Sequence, residues 1–271
     1  MASDPRPSFV NLPKPFLCSV ITEVTVDAAV RAIRVSDFDG AQAFLFDLLA
    51  LDRAHHNADD LRRIFLSTDK PIMVYYYRRV SNRHEPVTDD TRAESFLLSV
   101  EAGASAVDMM ADLFDHNELE LSRDPEVIRR QKELIHQIRD FGAEVMVSSH
   151  TMIKMSTAEV LAHVEAMLDR EPDMVKIVPR VPTIDDLTEA FQTTVALDRM
   201  LSIPFIHIVM GEYNKIHRIV GPMLGSSLCF CVPYYNEGVT LEQPLLRATR
   251  EVFNNFSWRP ARSVEETESA E

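Results

Sequence analysis

The chain has 271 residues, of which 46% are hydrophobic, and carries a formal net charge of −14. That length suits one large domain or two small ones with a sizeable core, and the negative balance argues against nucleic acid or an anionic membrane as partner. No run of about 18 uncharged apolar residues offers a membrane span, and the opening Met1-Ala-Ser-Asp-Pro-Arg-Pro7 lacks the basic-then-apolar order of a signal peptide.

Residues 1–14 carry three prolines and read as an irregular arm. From there strand and helix patterns alternate. Strand patterns cover 15–21, 41–49, 71–77, 106–112, 144–150, 174–180, 204–210 and 227–234. Helix patterns cover 25–38, 58–66, a segment ending near 101, then 125–141, a segment opened by the capping box Ser156-x-x-Glu159, and another opened by Thr183 with first-turn acids. A short helical segment runs through Val220, and a last helix is expected over 240–255, where Thr240-x-x-Gln243 has the form of a capping box. The tail from Ser263 is acidic and poor in apolar residues, as disordered segments are. Cys18, Cys229 and Cys231 lie in apolar runs without metal-ligand spacing. A bridge between positions i and i+2 of one strand would be badly strained, so reduced thiols and a cytoplasmic location are expected.

Eight strand–helix units with near-continuous apolar strands predict a single-domain (β/α)₈ barrel over residues 15–258. An open doubly wound sheet is disfavoured because no Gly-x-Gly-x-x-Gly turn follows an early strand. Barrel sites lie at the carboxyl ends of the strands, which gathers Asp47, Arg78, Asp108, His150 and Lys176, with Arg218 and Gln243 from later segments. Lys176 stands out, because lysine inside Met174-Val-Lys-Ile-Val178 is at an edge, snorkelling or functional. Desolvation disfavours a charged amine, and a neutral one attacks ketones to give an iminium, an electron sink. His150, ending the preceding strand, could move the proton beside that iminium. Asp108 could orient this histidine or pair with Arg78. His55-His56 reads as solvated, Tyr75-Tyr-Tyr77 as strand packing, and His207 as a satisfied barrel residue.

Val147-Ser-Ser-His150, Val175-Lys-Ile177 and Met210-Gly-Glu-Tyr-Asn-Lys-Ile-His-Arg218, with Gly225-Ser226 and Gln243 following in order, resemble the type I 3-dehydroquinate dehydratases of the shikimate and quinate pathways. The resemblance implies a Schiff-base lyase that eliminates water from a cyclic β-hydroxy keto acid, with no cofactor or metal, as a homodimer. Lys176 would form the iminium and His150 would act as general acid and base. Arg218, Gln243, Ser226 and Thr240 would hold the substrate, with Met210 packing over the iminium and Arg78 meeting substrate oxygens. The second strand departs from the family's Glu-x-Arg-x-Asp pattern, reading Leu45, Asp47 and Leu49 at those positions. The Glu-Gly-Gly whose glutamate orients the histidine is replaced by a stretch beginning at Asn82, which lacks the charge. Gln243 could serve only as a helix cap. These departures leave open a less hydroxylated substrate, a barrel that binds a metabolite or partner without catalysis, or a class I aldolase, which the Arg218 clamp disfavours.

Overall fold

Strand and helix succeed one another eight times: β1 (Phe16–Ile21), α1 (Val26–Phe38), β2 (Ala43–Asp47), α2 (Ala58–Phe65), β3 (Ile72–Tyr75), α3 (Asp89–Glu101), β4 (Ala106–Met110), α4 (Pro125–Asp140), β5 (Glu144–Ser149), α5 (Thr157–Leu168), β6 (Met174–Ile177), α6 (Ile184–Met200), β7 (Phe205–His207), α7 (Asn214–Val220), β8 (Leu228–Cys231) and α8 (Leu246–Asn254). The computed structural model describes residues 7–78, 86–236 and 241–255. Asn82, Thr240 and the acidic tail lie outside them.

All paired strands are parallel, in the order β7-β6-β5-β4-β3-β2-β1-β8. The period-two alternation of strands decides what faces the lumen. Cys18, Val20, Leu45, Met73, Tyr75, Met146, Met174 and Phe230 pack together inside, while Leu17, Phe44, Phe46, Val74, Val145 and Val175 pack in the separate core around the helices. Burial on both faces is why the strands read as continuous apolar runs. Serines bridge the seam between β7 and β8. Phe205 N donates to Ser227 Oγ at 3.1 Å, His207 N to Ser226 Oγ at 3.2 Å, and Ser227 N to the Phe205 carbonyl at 2.8 Å. The barrel is thus nearly closed. At its amino end the arm turns inward, with Phe9 buried against Phe16 and its amide donating to Glu144 Oε2 at 2.8 Å.

The capping boxes at Ser156–Glu159 and Thr183–Asp186 form as expected. The one at Gln243 does not. Val232 N donates to the Pro244 carbonyl and Leu246 N to the Val232 carbonyl, each at 2.9 Å, so this segment runs alongside the end of β8 as a parallel bridge. The residue before a proline also avoids the helical region. The last helix therefore begins at Leu246, and Gln243 caps nothing. The outer histidines also differ from expectation. His55 Nδ1 lies 2.8 Å from Asp60 Oδ2, and His56 Nε2 lies 3.2 Å from the Leu51 carbonyl, so both have protein partners. His207 faces the helices, with Nδ1 2.9 Å from Thr194 Oγ1, while its Nε2 has no partner among the described residues. The three cysteines are free and buried.

Candidate active site

A cavity of about 410 Å³ opens where the strands end, lined by residues from β2, β3, β6, β8 and α7 and from the segments that follow β3, β4, β5, β6, β7 and β8. This volume suits a small cyclic molecule. One wall is apolar (Leu45, Tyr75, Val178, Ile208, Met210 and Phe230), and ionisable side chains, with Met152 and Gln243, occupy the remainder. The hollow of about 440 Å³ between α3 and α4 holds neither lysine nor histidine.

Lys176 is 3% exposed. The β6 alternation that turns Val175 outward turns Lys176 into the lumen. There Nζ donates to Asp108 Oδ2 at 2.9 Å and to the Tyr77 hydroxyl, which itself donates to the same Asp108 oxygen. The ammonium also stands over the Tyr77 and Phe230 rings at 5.0 and 5.6 Å, where ring quadrupoles attract a cation. Burial, reinforced by the Asp108 charge, pushes the Tyr77 hydroxyl pKa well above its ordinary value, so the phenol keeps its proton. Asp108 thus pairs with the lysine; it neither orients His150 nor meets Arg78. Tyr77 is no mere packing residue, as the sequence had suggested. The signal for it was a lone acid at the inward position of β4, which had to find partners across the lumen.

His150 follows β5. Its Nδ1 lies 3.0 Å from Glu120 Oε2, the same oxygen that accepts its backbone N–H at 2.7 Å, and its ring meets the Tyr77 ring edge-on at 4.7 Å. Nδ1 is thereby committed, and the other ring nitrogen has no protein partner among the described residues. Burial raises the Glu120 pKa, but the hydrogen bonds and charge of His150, helped by Lys176, more than offset this and hold the carboxyl below its usual range. Glu120 sits at φ +46° and Met152, also on the rim, at φ +54°. Left-handed backbone at non-glycine residues is costly and clusters at functional sites. Nothing in the sequence marked Glu120, which reads as one of several acids in a polar turn between β4 and α4.

The two cavity arginines differ. Arg78 donates through Nε to Asp89 (3.0 Å) and through its terminal nitrogens to the Asp112 carboxylate (2.6 Å) and carbonyl (2.9 Å) and to the second Asp89 oxygen. Such full engagement leaves it little to offer a ligand, contrary to the expectation that it meets substrate oxygens. Arg218, in the last turn of α7, is buried, with Glu242 3.9 Å away, and its Nε has no partner among the described residues. Burial lowers its pKa, partly offset by nearby Cys229, Glu242 and Cys231. Gln243 shares the cavity, and its buried Oε1 is likewise unpaired among the described residues. Met210 lines it too, fixed by its amide to the Pro179 carbonyl (2.9 Å) and its carbonyl from Val181 N (2.8 Å). The following Gly211 has φ +118°, and a Cβ there would meet the Val181 carbonyl oxygen at 2.6 Å, which explains the Met-Gly pair. Asp47 and Ser226 are not among the cavity residues. Asp47 Oδ1 accepts from Leu49 N at 3.0 Å, and Ser226 belongs to the β7–β8 seam.

The family model for type I 3-dehydroquinase matches residues 18–254. Among curated relatives, 3-dehydroquinate dehydratase of Enterococcus faecalis is 31% identical over 100 residues, 36% of this chain and 39% of that protein. The Neisseria gonorrhoeae enzyme of the same name is 22% identical over 163 residues, 60% of this chain and 59% of that protein. The chain thus matches less than two thirds of the length of these relatives. In solved structures the likeness is one of fold. The type I 3-dehydroquinate dehydratase of Clostridium difficile, with covalently modified comenic acid, superposes with a TM-score of 0.72 at 15% identity, covering 90% of this chain and 93% of that one. The Enterococcus faecalis enzyme gives 0.72 at 17%, covering 92% and 96%.

Proposed function

Given that this chain belongs to the type I 3-dehydroquinase family, we propose that it is a Schiff-base-forming hydro-lyase acting on a cyclic β-hydroxy keto acid. The observation that carries this reading is the buried Lys176 amine in one cavity with His150 and the under-paired Arg218. Arg218 binds the substrate carboxylate, where a charge-assisted fork is strongest, and Gln243 assists it. Lys176 Nζ attacks the ketone, and loss of water gives an iminium that acidifies the neighbouring carbon. His150, fixed through Nδ1 by Glu120, removes that proton with its other ring nitrogen. It then returns the proton to the departing β-hydroxyl, and hydrolysis of the imine releases the enone and the lysine.

The wall formed by Leu45, Tyr75, Ile208 and Phe230 favours a flatter, less hydroxylated ring than dehydroquinate, since each substrate hydroxyl buried there without a partner costs about 1–3 kcal/mol. Borohydride trapping read by intact mass tests the proposal, with 3-dehydroquinate and comenic acid, a flat keto acid, as probes. A stable adduct on wild type and none on folded Lys176→Ala supports the iminium, and the probe trapped more readily identifies the ring preferred. If folded wild-type protein yields no adduct with either ketone, the site is a binding cavity and the reading fails. Turnover of dehydroquinate at a rate ordinary for the family would overturn the preference for a flatter ring while leaving the lyase intact.

A further inference from the structure

Nζ of Lys176, the Tyr77 hydroxyl and Asp108 Oδ2 form a closed triangle in which every pair is in hydrogen-bond contact. All of Asp108's contact runs through that one oxygen, since Oδ1 is buried without a partner among the described residues. Tyr77 also lines the cavity, so the residue whose hydroxyl is bonded to the amine borders the space where a ketone must sit. His150 meets the Tyr77 ring edge-on and is engaged by Glu120 rather than by the triangle. Nothing in the proton transfer at carbon needs this triangle, whereas making and breaking the imine needs proton transfer at nitrogen and oxygen.

We propose that Tyr77 is a second catalytic acid–base residue, dedicated to imine formation and hydrolysis, with Asp108 as its proton store. The inference rests on the Lys176 iminium reading. Asp108 takes a proton from the Lys176 ammonium, and the freed amine attacks the carbonyl carbon. As the N–C bond forms, the carbonyl π pair moves onto oxygen, and a proton passes from nitrogen to that oxygen through the Tyr77 hydroxyl, giving a neutral carbinolamine. Tyr77 then donates its proton to the carbinolamine hydroxyl, the C–O bond breaks, and the nitrogen lone pair closes C=N. The proton stored on Asp108 restores the phenol. The ammonium loses two protons and the ketone its oxygen, together one water, while the single positive charge stays on nitrogen. Hydrolysis runs the same steps backwards. The phenol suits this work because burial beside Asp108 keeps it protonated between turnovers.

The test is a quench-flow time course of borohydride-trapped adduct with 3-dehydroquinate and with comenic acid. Tyr77→Phe is expected to form adduct about 10²-fold more slowly than wild type, the usual size of an acid–base contribution, yet to reach the same final extent. Asp108→Asn is expected to slow the same phase. Replacing Tyr77 with difluorotyrosine keeps the shape and lowers the phenol pKa, so the pH profile of the trapping rate should move towards acid, which a packing role would not produce. A wild-type trapping rate in Tyr77→Phe, or a lowered final extent at an unchanged rate, overturns the assignment while the iminium stands. Failure of wild type to trap either ketone overturns both, so the two failures are distinguishable.

Discussion

Arg78 and Arg218 stand on the same cavity, and the sequence offered both as binders of substrate oxygens. Arg78 is ringed by acceptors supplied by Asp89 and Asp112, whereas Arg218 is buried with one distant carboxylate and an unpartnered Nε. A buried guanidinium left short of acceptors costs free energy that only a ligand can return, whereas a saturated one is already spent on the fold. Residue type and position at the mouth were the same for both. What separates them is the number of acceptors within reach, and that depends on which loops fold over each.

The sharpest way to break the comparison is to remove Arg218. Arg218→Gln should lower kcat/KM by about 10²- to 10³-fold, mainly through KM, since a charged hydrogen bond to a carboxylate is worth roughly 1.5–3 kcal/mol or more when bidentate. Steady-state kinetics on the ketone best trapped by Lys176 checks it. An unchanged KM would remove Arg218 from the substrate and leave Glu242 as its sole purpose.

A second contrast within the cavity concerns the histidine. Glu120→Gln keeps the shape of the contact with Nδ1 but not its charge, and loss of an orienting acid of this kind commonly costs about 10- to 100-fold. We expect kcat to fall by that factor with KM little changed, and the rate of imine trapping to stay near wild type because that step belongs to the Lys176 side. The Glu120 carboxyl is held below its usual range by His150 and Lys176 despite its burial. The stability it contributes is therefore present above the unfolded carboxylate pKa and is lost as pH falls through the lower folded value. Wild type should lose stability there more steeply than Glu120→Gln. Melting curves between about pH 3 and 7 read this, and parallel curves for the two proteins would deny the coupling.

Much of the architecture was legible because it rests on local pattern. Apolar runs buried on both faces gave eight strands, and two capping boxes marked the starts of α5 and α6 where they form. Lys176 and His150 were legible because a lysine in an apolar strand is costly wherever it occurs. The capping alternative for Gln243 arose because Thr240-x-x-Gln243 satisfies a local rule, which the pairing of Pro244 and Leu246 with Val232 overrides. Tyr77 and Glu120 were missed for a different reason. Their partners are 99 and 30 residues away, and one tyrosine among three, or one acid in a polar turn, carries no local sign of such a meeting. The orienting acid that the resemblance placed after β3 has no counterpart at Asn82 in the sequence, and the carboxylate that meets His150 Nδ1 is Glu120, after β4.

The smallest effect on activity is expected at Arg78, and it completes the contrast with Arg218. Arg78→Lys retains a charge but cannot span Asp89 and Asp112 together, because a lysine is a point donor where the guanidinium is a fork. Asp112 is fully buried and would keep contacts from the His116 ring and Asn117 N, so its charge is not wholly abandoned. Partial loss of such a network costs about 2–3 kcal/mol, or roughly 4–12 °C in Tm for a chain of this size. If the saturated arginine serves the loop alone, kcat/KM measured on the folded fraction should stay within a few-fold of wild type while Tm drops. A fall in kcat/KM as deep as that of Arg218→Gln, with Tm unmoved, would mean that Arg78 releases one of its acids when substrate enters, and the two arginines would then form a single clamp.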